Sequence, residues 1–189
     1  KKIDKDELKK YFIKDTARFI EFQTDLSLGC VTDGLLEWQD IFRPFTEKVS
    51  GIETGALTRW FNNNTFYRKP VITDKLARDE SILDRWIHTD LLRATKKEWK
   101  IVLPGPYTFA LMSENRYYKH REELILDFAC MLADELKNLE RFEPSYIDLC
   151  EPALVCSPPK KEELAAVKSA VDVITTATSL LSNIQTYFG

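Results

Sequence analysis

The stretch Ile147-Asp148-Leu149-Cys150-Glu151-Pro152-Ala153-Leu154 sets an acid, a thiol and a second acid within four positions. Each can hold a metal, move a proton or orient a substrate. In a strand, side chains alternate, so Asp148 and Cys150 share one face. Glu151 precedes a proline and is therefore extended; it stands where a strand ends and pockets form. A zinc site from Asp148, Cys150 and Cys156 is disfavoured. Tetrahedral sites take four ligands, and no His lies nearby in sequence. Cys150 reads instead as a small buried side chain, which leaves Glu151 as the group to face a ligand.

Two other places carry polar chemistry. Asp33 ends a short apolar run before Gly34, where it either orients a substrate or bonds its own turn. Arg59, Asn62, Asn63, Asn64, Tyr67, Arg68 and Lys69 form a polar, basic and aromatic segment. Its cations could pair with carboxylates, or the segment could be a solvated loop packing Trp60 and Phe61 beneath it. His88 and His120 fall at polar positions on or beside predicted helices and read as surface residues.

These residues need elements to position them. The periodicity predicts a first helix opened by an Asp4/Glu7 capping box. Leu8, Tyr11, Phe12, Phe19, Phe22 and Leu26 form its apolar face, and it stops near Gly29. Cys30 to Asp33 is a short strand. Leu57 to Phe61 is a second candidate, followed by an Asn-rich turn and residues 65–70. A second helix buries Ile82, Leu83, Trp86, Ile87 and Leu91. Lys100 to Leu103 reads as a parallel strand buried on both faces. A helix over about 119–140 turns Leu124, Phe128, Leu132, Leu136 and Leu139 inward. Tyr146 to Leu149 is a strand, a helix runs from about Lys161 to Ser182, and Ile184 to Phe188 is the last strand.

Alternating strands and helices argue for α/β architecture with a parallel sheet. No GxGxxG or GxxxxGK[ST] follows a strand, so nothing points to a phosphate-binding doubly wound sheet. Asp33, Pro104, Glu151 and Tyr187 all lie at strand ends, the arrangement of a (β/α)8 TIM-type barrel. About five strands are legible, so residues 1–189 are expected to form a single, partial barrel domain. The chain opens on Lys1-Lys2 without a Met, which suggests that the true N-terminus is absent.

Bulk properties narrow the partners. With 189 residues, 27 basic and 30 acidic side chains and a net charge of −3, nothing calls for nucleic acid or a membrane surface. No apolar run approaches the ~20 residues of a membrane span. The four cysteines make no CxxC pair and read as reduced, mostly buried thiols of a cytoplasmic protein.

Five stretches in order carry a resemblance: VTDGLLEWQDIFRPF (31–45), LTRWFNNNTFYRKP (57–70), LPGPYTF (103–109), IDLCEPALV (147–155) and IQTYFG (184–189). Together they resemble the cobalamin-independent methionine synthases. They are most similar to the N-terminal barrel of the two-barrel enzyme and to its free-standing archaeal-type relatives. On this resemblance the chain lacks the first strand and the C-terminal part of the barrel.

The resemblance implies methyl transfer from a methylated folate to homocysteine, in methionine biosynthesis. For free-standing relatives, a methylated corrinoid protein remains open as donor. In the family's catalytic barrel, zinc activates the homocysteine thiol by favouring its thiolate. Thr186 and Phe188 stand where that barrel has its His and Cys ligands. Leu35 and Cys150 stand where it has acids for the homocysteine amino group. The resemblance therefore implies a non-zinc, N-terminal-type barrel without catalytic residues or metal of its own, working with a separate zinc-bearing catalytic barrel. Asp33, Arg59, Asn64, Tyr67 and Glu151 are its candidate substrate-binding residues. The alternative is a non-catalytic binding or scaffold barrel with no role in methyl transfer.

Overall fold

The structure is a computed structural model that describes residues 4–179 and 185–188. A parallel sheet of order β1-β4-β6-β7 joins Cys30–Val31, Glu98–Pro104, Tyr146–Cys150 and Gln185–Phe188. A second sheet of order β2-β3-β5 joins Ser50–Arg59, Phe66–Ala77 and Glu114–Asn115. The described residues thus hold seven strands where about five were expected. The helices are α1 (Lys5–Asp25), α2 (Arg43–Lys48), α3 (Thr89–Ala94), α4 (Pro106–Met112), α5 (Arg121–Leu139), α6 (Ala153–Cys156) and α7 (Lys161–Ser179).

The crossovers follow the expected order. Between β4 and β6 run α4, β5 and α5; between β6 and β7 run α6 and α7. Lys100 pairs with Tyr146 and Leu103 with Leu149, while Ile147 pairs with Thr186. The predicted stripe of α5 is buried throughout: Leu124, Phe128, Leu132, Leu136 and Leu139 all lie in the core. Phe128 stacks on Phe109 with centroids 3.7 Å apart and meets Phe45 edge-on at 5.2 Å. Arg121 donates to Glu163 at 2.6 Å, fixing α5 against α7.

Several expectations are corrected. Helix α1 turns Leu8, Tyr11 and Phe22 toward solvent, as does Leu26 at its C-cap, and of the predicted face only Phe12 and Phe19 are half-buried; its buried residues are Thr16, Ile20 and Gln23. Gln23 explains the orientation. Its amide donates to the Thr32 oxygen at 2.7 Å and accepts from the Thr32 N–H at 3.1 Å, pairing with the end of β1 as a strand would. Asp4 is the N-cap residue, but its side chain makes no capping bond. The second predicted helix is a single 3-10 turn over Leu83–Arg85 followed by the short α3. Strand β4 alternates: Trp99, Ile101 and Leu103 are buried while Lys100 and Val102 are half-buried. Lys100 donates to Asp148 at 2.9 Å on that second face. All four cysteines are free; Cys130 and Cys156 are exposed, and Cys30 and Cys150 are only partly buried. Residues 180–184, which include the predicted end of the last helix, lie outside the described residues, as do the side chains of Thr186 and Phe188. Among the described residues no helix is long and apolar enough to cross a membrane.

Candidate functional site

An open cleft of about 500 Å³ lies at the C-terminal end of β6. Three segments distant in sequence build it: Gln39, Asp40 and Ile41; Trp60, Thr65, Phe66 and Tyr67; and Cys150 with Pro152. The middle segment is the tip of the β2–β3 hairpin. There the main-chain N–H of Trp60 donates to the Thr65 oxygen at 2.9 Å, and Asn63 accepts from the Thr65 N–H at 2.8 Å. Phe61 and Asn62 take positive φ, 44° and 61°, the left-handed conformation that closes so tight a turn.

Asp40 joins the first segment to the second. One carboxylate oxygen accepts from the Phe42 N–H at 2.9 Å and the other from the Arg68 N–H at 3.1 Å. Tyr67 is buried and packs edge-on against Trp60 and Phe42 at 5.4 and 5.6 Å. Its hydroxyl donates to the Met112 oxygen at 2.8 Å. Burial, then the Asp40 charge, pushes that hydroxyl's pKa up to about 12. Cys150 is held as a thiol: burial raises its pKa, and the Asp148 carboxylate adds to the rise. It is therefore a weak nucleophile at neutral pH.

Of the residues expected from sequence to bind substrate, Tyr67 alone lines this cleft. Arg59 sits over the Phe66 ring at 5.4 Å, so it adjoins the rim through a cleft residue. Asn64 is exposed at the hairpin turn. Asp33 lies at the end of β1 and is buried. It accepts from the Leu35 N–H at 3.2 Å and from the His88 N–H at 3.3 Å. Burial raises its pKa against the pull of those two bonds.

Glu151 flanks the cleft in sequence but points the other way, into the N-terminus of α4. It is 4% exposed. Its carboxylate accepts from the Tyr107 N–H at 2.9 Å, the Thr108 N–H at 2.7 Å and the Thr108 hydroxyl at 2.5 Å. Those N–H groups have no partner within the helix, and the helix N-terminus favours a negative charge. Burial raises the Glu151 pKa nonetheless, opposed by the three bonds.

Sequence reasoning missed Gln39, Asp40 and Ile41; the only local signal was an Asp two residues before an N–H it caps. It also misplaced His88, which is mostly buried with Nε2 3.3 Å from Glu37; His120 is exposed as expected. Among the described residues no group of three or more His, Cys, Asp or Glu is placed to hold a metal ion.

Comparison with known proteins shows the family and the fold. A family model described as "Cobalamin-independent synthase, N-terminal domain" matches residues 48–189. The chain belongs to that family. A methionine synthase of Pyrococcus furiosus is 32% identical over 149 residues, which are 77% of this chain and 41% of the relative. One of Sulfolobus acidocaldarius is 25% identical over 153 residues, 81% of this chain and 45% of the relative. The chain thus spans less than half the length of these curated relatives. A solved B12-independent methionine synthase from Shewanella sp. W3-18-1, in complex with selenomethionine, shares the fold. Its TM-score is 0.80 at 22% identity, covering 98% of this chain and 53% of that one.

Proposed function

We propose that this chain is a substrate-binding part of a (β/α)8 barrel of the N-terminal type, one domain over residues 1–189. It holds a methylated folate, whose methyl group passes to the homocysteine sulfur on a separate zinc-bearing catalytic barrel and which leaves demethylated, in the cytoplasm. The observation that carries the reading is the aromatic wall of the cleft: Trp60, Phe66 and Tyr67 line one side of a space of about 500 Å³. Pockets for small molecules run from about 300 to 1,000 Å³ and are walled mainly by apolar and aromatic groups. A flat heteroaromatic ring stacks on such walls. Arg59, Arg68 and Lys69 on the same hairpin supply cations for the ligand's glutamyl carboxylates. The chain itself contributes binding and orientation, and the sulfur chemistry belongs to the partner barrel.

The test combines binding with turnover. Titration of the chain with 5-methyltetrahydrofolate is expected to quench tryptophan fluorescence, and Trp60→Ala is expected to weaken binding by about tenfold, the loss of one aromatic contact. Methyl transfer is expected only when a zinc-bearing catalytic barrel is added. Activity of the chain alone with stoichiometric zinc refutes the split of roles. Transfer from a methylated corrinoid protein, with no folate binding, refutes the choice of donor. Folded chain that binds neither and changes no rate supports the scaffold alternative.

A further inference from the structure

Glu151 lies between Cys150 and Pro152, two residues that line the cleft, yet its own side chain leaves the cleft. The structure assigns it the role of a positioning residue: its carboxylate clamps the loop after β4 to the loop after β6 and so fixes the cleft wall made by its two neighbours. This assignment rests on the geometry of the cleft alone and holds whichever ligand fills it.

Four observations converge on the clamp. The carboxylate takes up two N–H groups at the start of α4, from Tyr107 and Thr108. The Thr108 hydroxyl donates to Glu151 and at the same time accepts from the Ala153 N–H at 3.3 Å, so the contact runs in both directions between the loops. Gly105 donates its N–H to the Cys150 oxygen at 2.9 Å. A Cβ on Gly105 would lie 2.0 Å from the Glu151 carboxyl carbon, so the glycine is what lets the carboxylate reach the helix. The Leu-Pro-Gly-Pro-Tyr-Thr and Glu-Pro-Ala-Leu stretches therefore operate as one unit. One supplies donors and a gap, the other the acceptor, and the outcome is a defined position for Cys150 and Pro152.

Cys150 provides the readout, because it lines the cleft it would report on. The rate of alkylation of each cysteine by iodoacetamide, followed by peptide mass spectrometry, is compared between the parent chain and Glu151→Gln. The amide keeps the shape of the side chain but presents an NH2 where a backbone N–H must be accepted. Cys130, exposed on α5, serves as the remote reference. Cys150 is expected to react about tenfold faster in the variant, from local opening around an unmade buried bond together with loss of the Glu151 charge that helps hold Cys150 as a thiol. Cys130 and the cooperative thermal transition are expected to change little by comparison. Thr108→Val removes the bridging hydroxyl without touching Glu151 and is expected to move Cys150 in the same direction by less. It isolates the clamp, because it leaves the Glu151 charge beside the thiol in place, and it also carries the test if Glu151→Gln does not fold. An unchanged Cys150 rate overturns the proposal. So does an equal acceleration at Cys130, which would make Glu151 a general stabiliser with no particular hold on the cleft.

Discussion

The Tyr67 hydroxyl donates to the main-chain oxygen of Met112 at 2.8 Å, joining the β2–β3 hairpin to the end of α4. It adds to the Asp40–Arg68 bond and the ring packing that hold the aromatic wall of the cleft. Tyr67→Phe leaves the Met112 oxygen without its partner, and a buried bond of this kind is worth about 1–2 kcal/mol. Urea denaturation is expected to show a loss of that size. The same hydroxyl gives a pH signature. Its folded pKa, about 12, lies above the ordinary value of 10.0. The folded chain therefore holds this proton more tightly. The associated stability is present below pH 10.0 and is lost as the pH rises toward about 12. Tyr67→Phe is expected to remove that part of the alkaline destabilisation, and identical alkaline profiles would contradict it.

Glu135 on α5 is fully buried. Its carboxylate accepts from the Ile82 and Leu83 N–H groups, both at 2.9 Å, and from the Ser81 hydroxyl at 3.2 Å. Its other oxygen lies 2.8 Å from the Arg78 guanidinium. Glu135→Ala strands two backbone donors and a largely buried cation, and breaking a buried pair from one side costs about 3–5 kcal/mol. The unfolding midpoint is expected to fall accordingly. Replacing Arg78 by Ala is expected to cost less, because the carboxylate keeps its three other donors.

Helix α5 was legible in the sequence because its stripe has a single direction: Leu124, Phe128, Leu132, Leu136 and Leu139 recur at helical spacing and all find the core. The same reasoning placed α1 correctly and turned it mostly the wrong way, with only Phe12 and Phe19 of the predicted face half-buried. Periodicity locates a stripe but says nothing of which neighbour meets it, and here the bond from Gln23 to Thr32 decides the inward face. The hairpin was half visible. Strand β2 is mostly exposed, with register shifts between Ser50 and Ile52 and between Thr54 and Leu57, so it carries no clean alternation to read. Pro104 and Glu151 were legible as lying at strand ends, since both stretches close on a proline. The cleft beside them was not. It depends on Asp40 reaching the Arg68 N–H across 28 residues of chain, a contact with no local signature.

Asp33 yields an acid-range prediction. Burial raises its carboxyl above the ordinary 3.8, although the Leu35 and His88 N–H groups pull it back. An acid whose folded pKa is raised favours folding most fully below its unfolded pKa, and the contribution is lost as pH rises through the folded one. Relative to Asp33→Asn, the parent chain is therefore expected to gain stability as the pH is lowered from neutrality toward 3.8. Urea midpoints of the two proteins at several pH values measure the difference. A gap independent of pH over that window would show that Asp33 titrates alike in the folded and unfolded chains.

Gly105 gives a test of packing in which left-handed strain plays no part, since its φ is −73° and any residue can adopt it. What excludes a side chain is the Glu151 carboxyl group, whose nearest atoms would lie 2.0 to 2.3 Å from an added Cβ. Gly105→Ala must push Glu151 off the α4 N-terminus or open the β4–β6 junction where Gly105 donates to Cys150. Overpacking of this kind costs about 1–3 kcal/mol, and losing the carboxylate bonds adds to it. The double variant Gly105→Ala/Glu151→Ala relieves the collision, so the two losses are expected to fall short of additivity by about 1 kcal/mol or more. Additive losses in guanidinium denaturation would mean that the glycine and the carboxylate do not act on each other.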